Sequence, residues 1–449
     1  MRRMLQSIWT NSRLRGEVGW VLSNKVGEVG LHFLAVKLFT NILGKAIYAE
    51  YSLVLNAAQV VYAATMVPIH EAYLRYHHTA TADGVVGHAG RIVIRWCAVV
   101  TVVVATLAAV VSVPLSGRAN LGTWTIMAGG IAFLSYHWRR SGVEILDMKR
   151  QRRAVATQNL SFLMIQITLV SLVNWYWTPA AYRALLSHAL VAAVFGAIAI
   201  RPFFREVFTQ PVERKSDIRG MVLRFGVPYG LLRICQWVQG FSERFILWAQ
   251  LDPATVGLYV AAYPLCGVPY MLTLAVYRAL LVPVAYQRAK DIRDPGQVWA
   301  ADKVLLIGAA AYVVFGAMAL PVYLLLGARL LTLLTNADFV LPSTTLLAIA
   351  TARYMQSLGG VFDAFFAVHQ RMANSLSFRL VGGLVVVPIC WFAIQEYALL
   401  GAALGVLVAS AIYILVACFG PGGCFHLVYT ARREALALAR SDGERKEGS

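Results

Sequence analysis

Charged residues are scarce, at 14% of 449 residues against about 25% in a soluble domain, while 59% are hydrophobic and the mean hydropathy is +0.63. That balance excludes a soluble protein. Apolar runs of about 20 residues, the length that spans a bilayer core, recur from end to end. Acid is scarcer still, with 22 Asp and Glu against 40 Lys and Arg. The six cysteines (Cys97, Cys235, Cys266, Cys390, Cys418, Cys424) form no CxxC pair and no Cys/His cluster, so no metal site and no cofactor are expected. A cleavable leader is not expected either. The first apolar run, Glu17 to Phe39, follows Arg2, Arg3, Arg13 and Arg15, but it is long, contains Lys25 and Glu28, and has no small-residue cleavage site. It reads as the first span. Long outer loops are also lacking, which counts against a membrane glycosyltransferase, polymerase or ligase. No enzyme is expected.

What is present is an all-α polytopic membrane protein with about 12 transmembrane helices. The expected spans are Glu17 to Phe39, Ala46 to Ile69, Ile92 to Leu115, Leu121 to Leu146, Val155 to Trp175, Tyr182 to Ile200, Met221 to Ala249, Ala254 to Tyr286, Trp299 to Leu326, Leu341 to Val368, Leu376 to Ile394 and Ala398 to Cys418. Of the 40 Lys and Arg, about 29 fall in the N-terminus, the even-numbered connections and the C-terminus, about 4 on the other side and about 7 within spans. The four outer ones are Lys45, Arg118, Arg183 and Arg329. Both termini are therefore expected in the cytoplasm. The net charge of +18 is mainly a topology signal, with attraction to anionic lipid second. Nucleic acid is a poor partner, because the basic clusters "WRRSGVEILDMKRQRR" and "ERKSDIRG" adjoin spans. After the last span, "GPGGC" should stop the helix. "HLVYTARREALALAR" fits an interfacial helix or a solvated tail equally well, and "SDGERKEGS" is expected to be disordered.

An ungapped internal offset that puts Leu43, Ala46 and Tyr51 on Leu251, Ala254 and Tyr259 also puts Lys25 on Arg233 and Glu28 on Gln236. Duplicated halves are common in transporters. The expected division is residues 1–204 and 221–420 as two six-helix lobes around a central cavity, with 205–220 as a cytoplasmic connection and 421–449 as a tail. In span 7, Arg233, Gln236, Gly240 and Glu243 share one helical face, bordered by Arg244; in span 10, Arg353, Gln356, Gly360 and Asp363 repeat the spacing. The two spans run in opposite directions, as in an inverted three-helix repeat. Lys25, Glu28 and His32 make a comparable stripe in span 1. Counting about 1.5 Å per residue sets Arg233 and Arg353 roughly 18 Å deep, near the midplane.

An Arg at that depth costs at least about 2.5–3.5 kcal/mol and needs a partner or a polar cavity. Structural pairing would join Lys25 to Glu28, Arg233 to Glu28 and Arg353 to Asp363. For Glu28 and Asp363, pairing and ion coupling both stand. For Arg233 and Arg353 a functional role is favoured, because cations outnumber carboxylates at mid-depth and the excess needs an anion. Guanidinium forks suit phosphate. Arg224 and Arg278 read as snorkelling cations near span ends. His70, His77, His78 and His88 fall in the first cytoplasmic connection and are expected in solvent. Pro264 and Pro269 are expected to kink or break span 8. Trp175, Tyr176, Trp177 and Tyr182 read as interface anchors.

The stretch "LRFGVPYGLLRICQWVQGFSERFILWAQLDPATVGLYVAAY" resembles the polysaccharide-transporter branch of the multidrug/oligosaccharidyl-lipid/polysaccharide exporter superfamily, which includes O-antigen and exopolysaccharide flippases. The matching features are Pro228, Glu243 with Arg244, and Gly257 with Tyr259; "LGKAIYAEYSLVLNA" is similar to the N-terminal counterpart. Family members often carry Asp where this chain has Glu243. The resemblance implies a flippase of the bacterial inner membrane that moves a polyprenyl-diphosphate-linked oligosaccharide outward by alternating access. It implies that Lys25, Arg233 and Arg353, with Arg244, bind the diphosphate, and that Glu28, Gln236, Glu243, Gln356 and Asp363 make the cavity polar or couple an ion. Implied partners are the lipid-linked glycan, membrane lipids, and the polysaccharide polymerase and export machinery. The rivals are a drug/cation antiporter of the same superfamily, which would need carboxylates to dominate the cavity, and a polytopic polymerase or ligase.

Overall fold

The structure is a computed structural model and describes residues 12–73, 86–119, 122–149, 151–209, 220, 222–289 and 294–447. Among these residues every regular element is helical. The helices are α1 (Ser12–Thr65), α2 (Val86–Ala119), α3 (Thr123–Met148), α4 (Arg152–Tyr176), α5 (Ala181–Thr209), α6 (Val227–Gln250), α7 (Pro253–Arg288), α8 (Pro295–Leu334), α9 (Ser343–Val368), α10 (Met372–Phe419) and α11 (Cys424–Glu447). A short helix at 67–73 follows α1, and a π-helical turn, Val222–Gly226, leads into α6.

Backbone breaks inside α1 and α10 make up the expected number of spans. α1 is interrupted at Gly44, whose φ of 71° is open to a residue without Cβ. α10 is interrupted at Ala398, with φ 47° and ψ −124°. There the chain folds back tightly: a Cβ on Gly401 would lie 1.9 Å from the Ala393 carbonyl oxygen, and one on Gly405 would lie 2.5 Å from Cys390 Sγ. With these two breaks, the described helices α1 to α10 supply the twelve expected segments. Left-handed backbone at Ala398 costs about 1–2 kcal/mol that glycine would not incur. Ala398→Gly is therefore expected to raise the thermal unfolding midpoint of the detergent-solubilised protein, by a ΔΔG of about 1 kcal/mol.

Among the described residues, seven helical stretches are long and apolar enough to cross a membrane. They cover α1, α2, α4, α5, α7, α8 and α10. Of α1 to α10, the three remaining helices, α3, α6 and α9, fall short because they carry charge inside the protein: Arg139 in α3, Glu243 and Arg244 in α6, Arg353 and Asp363 in α9 are all buried. The apolar helices instead expose Val102, Val110, Met318, Leu325 and Leu384, as lipid-facing surfaces do. Trp175 and Tyr176 are about three-quarters exposed, as interface anchors should be.

α7 differs from the expectation of a break. It runs unbroken through Pro264, Pro269 and Pro283. Pro269 has no N–H for the carbonyl of Leu265 one turn back; the Tyr323 hydroxyl of α8 donates to that carbonyl at 3.3 Å instead. α10 ends at Phe419 with Gly420 as its cap and Gly422 at φ 70°, as "GPGGC" predicts. Helix then resumes as α11 and reaches Glu447, so residues 441–447 of the charged tail are helical where disorder is expected.

The chain divides into two compact units. The first comprises Met1–Ile234, Asp252–Ala261 and Leu333–Phe339; the second comprises Cys235–Leu251, Ala262–Thr332 and Val340–Ser449. In the first, α3 packs on α5, α1 on α4, and α2 on both α3 and α5. Its core joins Tyr62, Met66, Tyr73, Cys97, Phe133 and Phe203. In the same unit, Gly257 of the G-x-Y pair meets the backbone of Lys45, where a Cβ would come within 2.2 Å of the carbonyl oxygen. Only glycine fits there. In the second unit α9 packs on α10, and α10 on α11.

Candidate functional site

In the second unit the polar stripes of α6 and α9 face each other and run antiparallel. Gln236 Nε2 donates to Asp363 Oδ2 at 3.2 Å, and Gln356 Nε2 donates to the Gln239 carbonyl at 2.8 Å. Advancing along α6 means going back along α9. Arg353 lies in this layer, 8% exposed. Its Nη1 donates to Tyr263 Oη (2.8 Å) and Gln356 Oε1 (2.6 Å), and its Nη2 to Met271 Sδ (3.0 Å). Tyr263 in turn donates to the Gly240 carbonyl at 2.5 Å. The guanidinium lies over the Tyr263 ring, 4.3 Å from its centroid. Gly267 makes room for it, since a Cβ there would fall 2.6 Å from Arg353 Nε. Among the described residues no carboxylate stands within ion-pair distance of Arg353, and its Nε–H meets no acceptor. A thioether is a weak acceptor. Arg353 is thus a buried cation held by neutral groups, with donor capacity left over.

The expected pair of Arg353 with Asp363 does not form, because ten residues along one helix separate them by about 15 Å. Asp363 is bound by Arg379 instead. Arg379 Nη2 donates to Oδ2 at 2.8 Å, while Tyr413 Oη (2.7 Å) and Ser375 Oγ (2.9 Å) donate to Oδ1. With Gln236 that makes four donors for one carboxylate. Arg379 also donates to Gln239 Oε1 at 2.8 Å and lies 3.8 Å over the Tyr413 ring. Glu243 is the opposite case. It is fully buried, Arg244 Nε stands 3.6 Å away, and neither carboxylate oxygen receives a hydrogen bond among the described residues. Arg244 sits over the Tyr263 ring at 4.0 Å, so one aromatic ring carries both Arg244 and Arg353. Arg278 reaches the Gly360 carbonyl at 3.4 Å, and Arg224 is exposed.

The first unit holds Lys25, Glu28 and Arg233. Lys25 Nζ donates to Glu28 Oε2 at 2.8 Å, as expected from their spacing. Glu28 Oε1 accepts from Asn159 Nδ2 at 3.0 Å, and Asn159 Oδ1 accepts from Arg139 Nη1 at 3.1 Å. Two cations thus flank one carboxylate, with Arg139 packed 3.8 Å over the Phe162 ring. Arg233 donates to Tyr229 Oη at 3.0 Å, and its acidic neighbour is Glu71, which also uses Tyr229. Glu28 is therefore engaged by Lys25 and Asn159 rather than by Arg233. The stripe read from span 7 is divided: Arg233 belongs to the first unit, and Gln236, Gly240 and Glu243 to the second.

Periodicity along single helices missed Arg139, Arg379, Glu71 and His70. Arg139 lies seven residues, about 10 Å, inside an expected span and was within reach of a depth argument, whereas Arg379 is only three residues, about 4.5 Å, into its span and gave no such signal. His70 corrects the expectation of solvent exposure. It is 5% exposed and bonded to Ser141 and Tyr62, because 67–73 folds back as a helix against α3. His88 is half-buried, and His77 and His78 lie outside the described residues.

No protein-family model and no curated protein matches the sequence. Solved structures do match. An outward-facing multidrug resistance MATE family transporter of the MOP superfamily gives a TM-score of 0.62 at 14% identity, over 94% of this chain and 96% of that one. The lipid II flippase MurJ, in an inward closed conformation, gives 0.67 at 9% identity, over 95% and 93%. The chain has the fold of the MOP-superfamily transporters. A MOP superfamily transporter from Pyrococcus furiosus, described by a reversed polarity of its binding pocket, also matches, with a TM-score of 0.54 at 11% identity over 94% and 95%. That fold and the apolar helices make this a multi-pass membrane protein.

Proposed function

We propose that the chain is a flippase that carries a polyprenyl-diphosphate-linked oligosaccharide repeat unit from the cytoplasmic to the outer leaflet of a bacterial inner membrane, for surface polysaccharide export. The observation that carries this is Arg353, a buried guanidinium without a carboxylate and with an unused N–H, in a fold shared with a lipid II flippase. In a low-dielectric interior such a cation favours an anion, and phosphate oxygens match the guanidinium fork. The residues assigned to the diphosphate are Lys25, Arg233, Arg244 and Arg353. Gln356 holds Arg353 in place, Gln236 adds a polar group bonded to Asp363, and the polyprenyl chain stays in lipid. The six-helix lobes 1–204 and 221–420, joined by 205–220 and followed by the tail 421–449, alternate access with both termini in the cytoplasm. A polysaccharide polymerase and export machinery take the product. Moving about two negative charges outward is helped by the membrane potential, at roughly 2.3 kcal/mol per charge per 100 mV.

A drug/cation antiporter is the second reading, supported by the likeness to MATE transporters and by the bare carboxylate of Glu243. Lipid extracted from a strain lacking the gene separates the two. Polyprenyl-diphosphate oligosaccharide accumulating in the cytoplasmic leaflet, and relieved by the wild-type gene, supports the flippase. No accumulation together with lost cation efflux supports the antiporter, and accumulation in the outer leaflet points to a polymerase or ligase.

A further inference from the structure

A second polar centre lies in the first unit, and none of the residues assigned above to the diphosphate belongs to it. His70 Nε2 is 2.8 Å from Ser141 Oγ, and its Nδ1 is 3.2 Å from Tyr62 Oη and 3.6 Å from Glu144 Oε2. Tyr62 Oη is 3.4 Å from Glu144 Oε2, and Arg140 Nε pairs with Glu144 Oε1 at 2.6 Å. A small cavity lined by His70, Tyr73, Cys97, Trp138, Ser141 and Glu144 abuts the imidazole. We propose that His70, with Tyr62, Ser141 and Glu144, is a proton-binding site, and that the proton it exchanges is the coupling ion of the transport cycle.

The argument rests on counting hydrogens. Ser141 has one hydroxyl hydrogen, and it goes to the His137 carbonyl at 2.7 Å. Ser141 Oγ can then only accept from His70, which places a hydrogen on Nε2 and leaves Nδ1 of the neutral ring as an acceptor. Tyr62 fills it by donating its own single hydrogen. When His70 takes up a proton, Nδ1 becomes a donor; Tyr62 turns its hydrogen to Glu144, and its oxygen accepts from Nδ1. Both arrangements give each ring nitrogen a partner, and they differ by one proton. The charge gained is met by Glu144, which Arg140 balances while the ring is neutral. A site that served only to fix the fold would need one arrangement, not two.

The groups facing His70 come from every neighbouring element. α1 contributes Tyr62, α2 contributes Cys97 with its Sγ 3.9 Å from Nε2, and α3 contributes His137, Arg140, Ser141 and Glu144. Glu71 and Tyr73 lie on its own short helix, and α5 presents the apolar Ile200 and Phe203. Glu144 is the nearest carboxylate. Burial holds the His70 imidazole below its ordinary value and Arg140 acts the same way, while the Glu144 carboxylate opposes them; imidazole is the side chain whose charge ordinarily changes between about pH 5 and 8.

The test uses the full-length protein in lipid nanodiscs with ¹⁵N-labelled histidine, the His70 ring signal being assigned by its loss in His70→Gln. The expected result is one-proton titration of His70 between about pH 5 and 8, with the midpoint lowered by about one pH unit, tenfold in proton affinity, in Glu144→Gln. A single protonation state throughout that range, or a midpoint unmoved by Glu144→Gln, overturns the site. The coupling role rests on the transport reading above, and liposome assays with a synthetic polyprenyl-diphosphate oligosaccharide test it separately. A pH gradient should drive the wild type, and His70→Gln should lose about tenfold of that component while responding to voltage as before. A full pH-gradient response in His70→Gln overturns the coupling role and leaves the flippase standing. If the wild type moves no such lipid, the flippase reading and the coupling role fail together, and the titration still decides the proton site.

Discussion

Arg353→Ala is expected to lower translocation of a diphosphate-linked lipid at least about a hundredfold, a loss near 2.7 kcal/mol that matches one or two charge-assisted hydrogen bonds. Arg353→Lys keeps the charge but not the fork, so it should fall between alanine and wild type. The measurement is leaflet accessibility of the lipid-linked oligosaccharide in inverted membrane vesicles. Expression and thermal stability, measured in parallel, should change far less than transport. The bonds from Arg353 go to the neutral groups Tyr263, Gln356 and Met271, and alanine leaves no carboxylate stranded. Equal transport by Arg353→Ala and wild type would remove the cationic site from the mechanism.

The second large effect falls on stability. Arg379→Met removes the cation from a carboxylate that is 7% exposed and packed among Tyr413, Ser375 and Gln236. Stranding a buried charge costs about 3–5 kcal/mol, so the variant should unfold at markedly lower temperature or fail to accumulate. Adding Asp363→Leu should restore much of that loss, because no uncompensated charge then remains. If Asp363 served as an open ion site rather than a locked partner of Arg379, Arg379→Met would be well tolerated, and the double variant would be no more stable than the single one.

The sequence and the structure agree on the number and placing of the helices, since span length and apolarity act locally along the chain. The stop at "GPGGC" was legible for the same reason: it acts through the backbone of a single turn. The break at Ala398 falls on the first residue of the last expected span, but its left-handed backbone was invisible, because nothing in an alanine announces it. The equal spacing and opposite directions of the α6 and α9 stripes were legible; that the stripes face each other was not. Partnering did not follow. A stripe shows which residues share a face, yet Asp363 found Arg379 on the next helix, and Arg233 found Tyr229 and the neighbourhood of Glu71. Those choices depend on how helices pack, which no single-helix period records. His70 was misplaced for a related reason: by position it follows a span, but by packing it lies under α3.

Reconstitution tests the central claim most directly. Purified protein in liposomes is given a polyprenyl-diphosphate oligosaccharide in one leaflet, and in parallel an organic cation with a pH or sodium gradient, for wild type and Arg353→Ala. The account predicts that wild type moves the lipid-linked oligosaccharide, that Arg353→Ala does not, and that neither moves the cation. Cation transport by the wild type without movement of the lipid would contradict it, and would favour the antiporter reading built on Glu243.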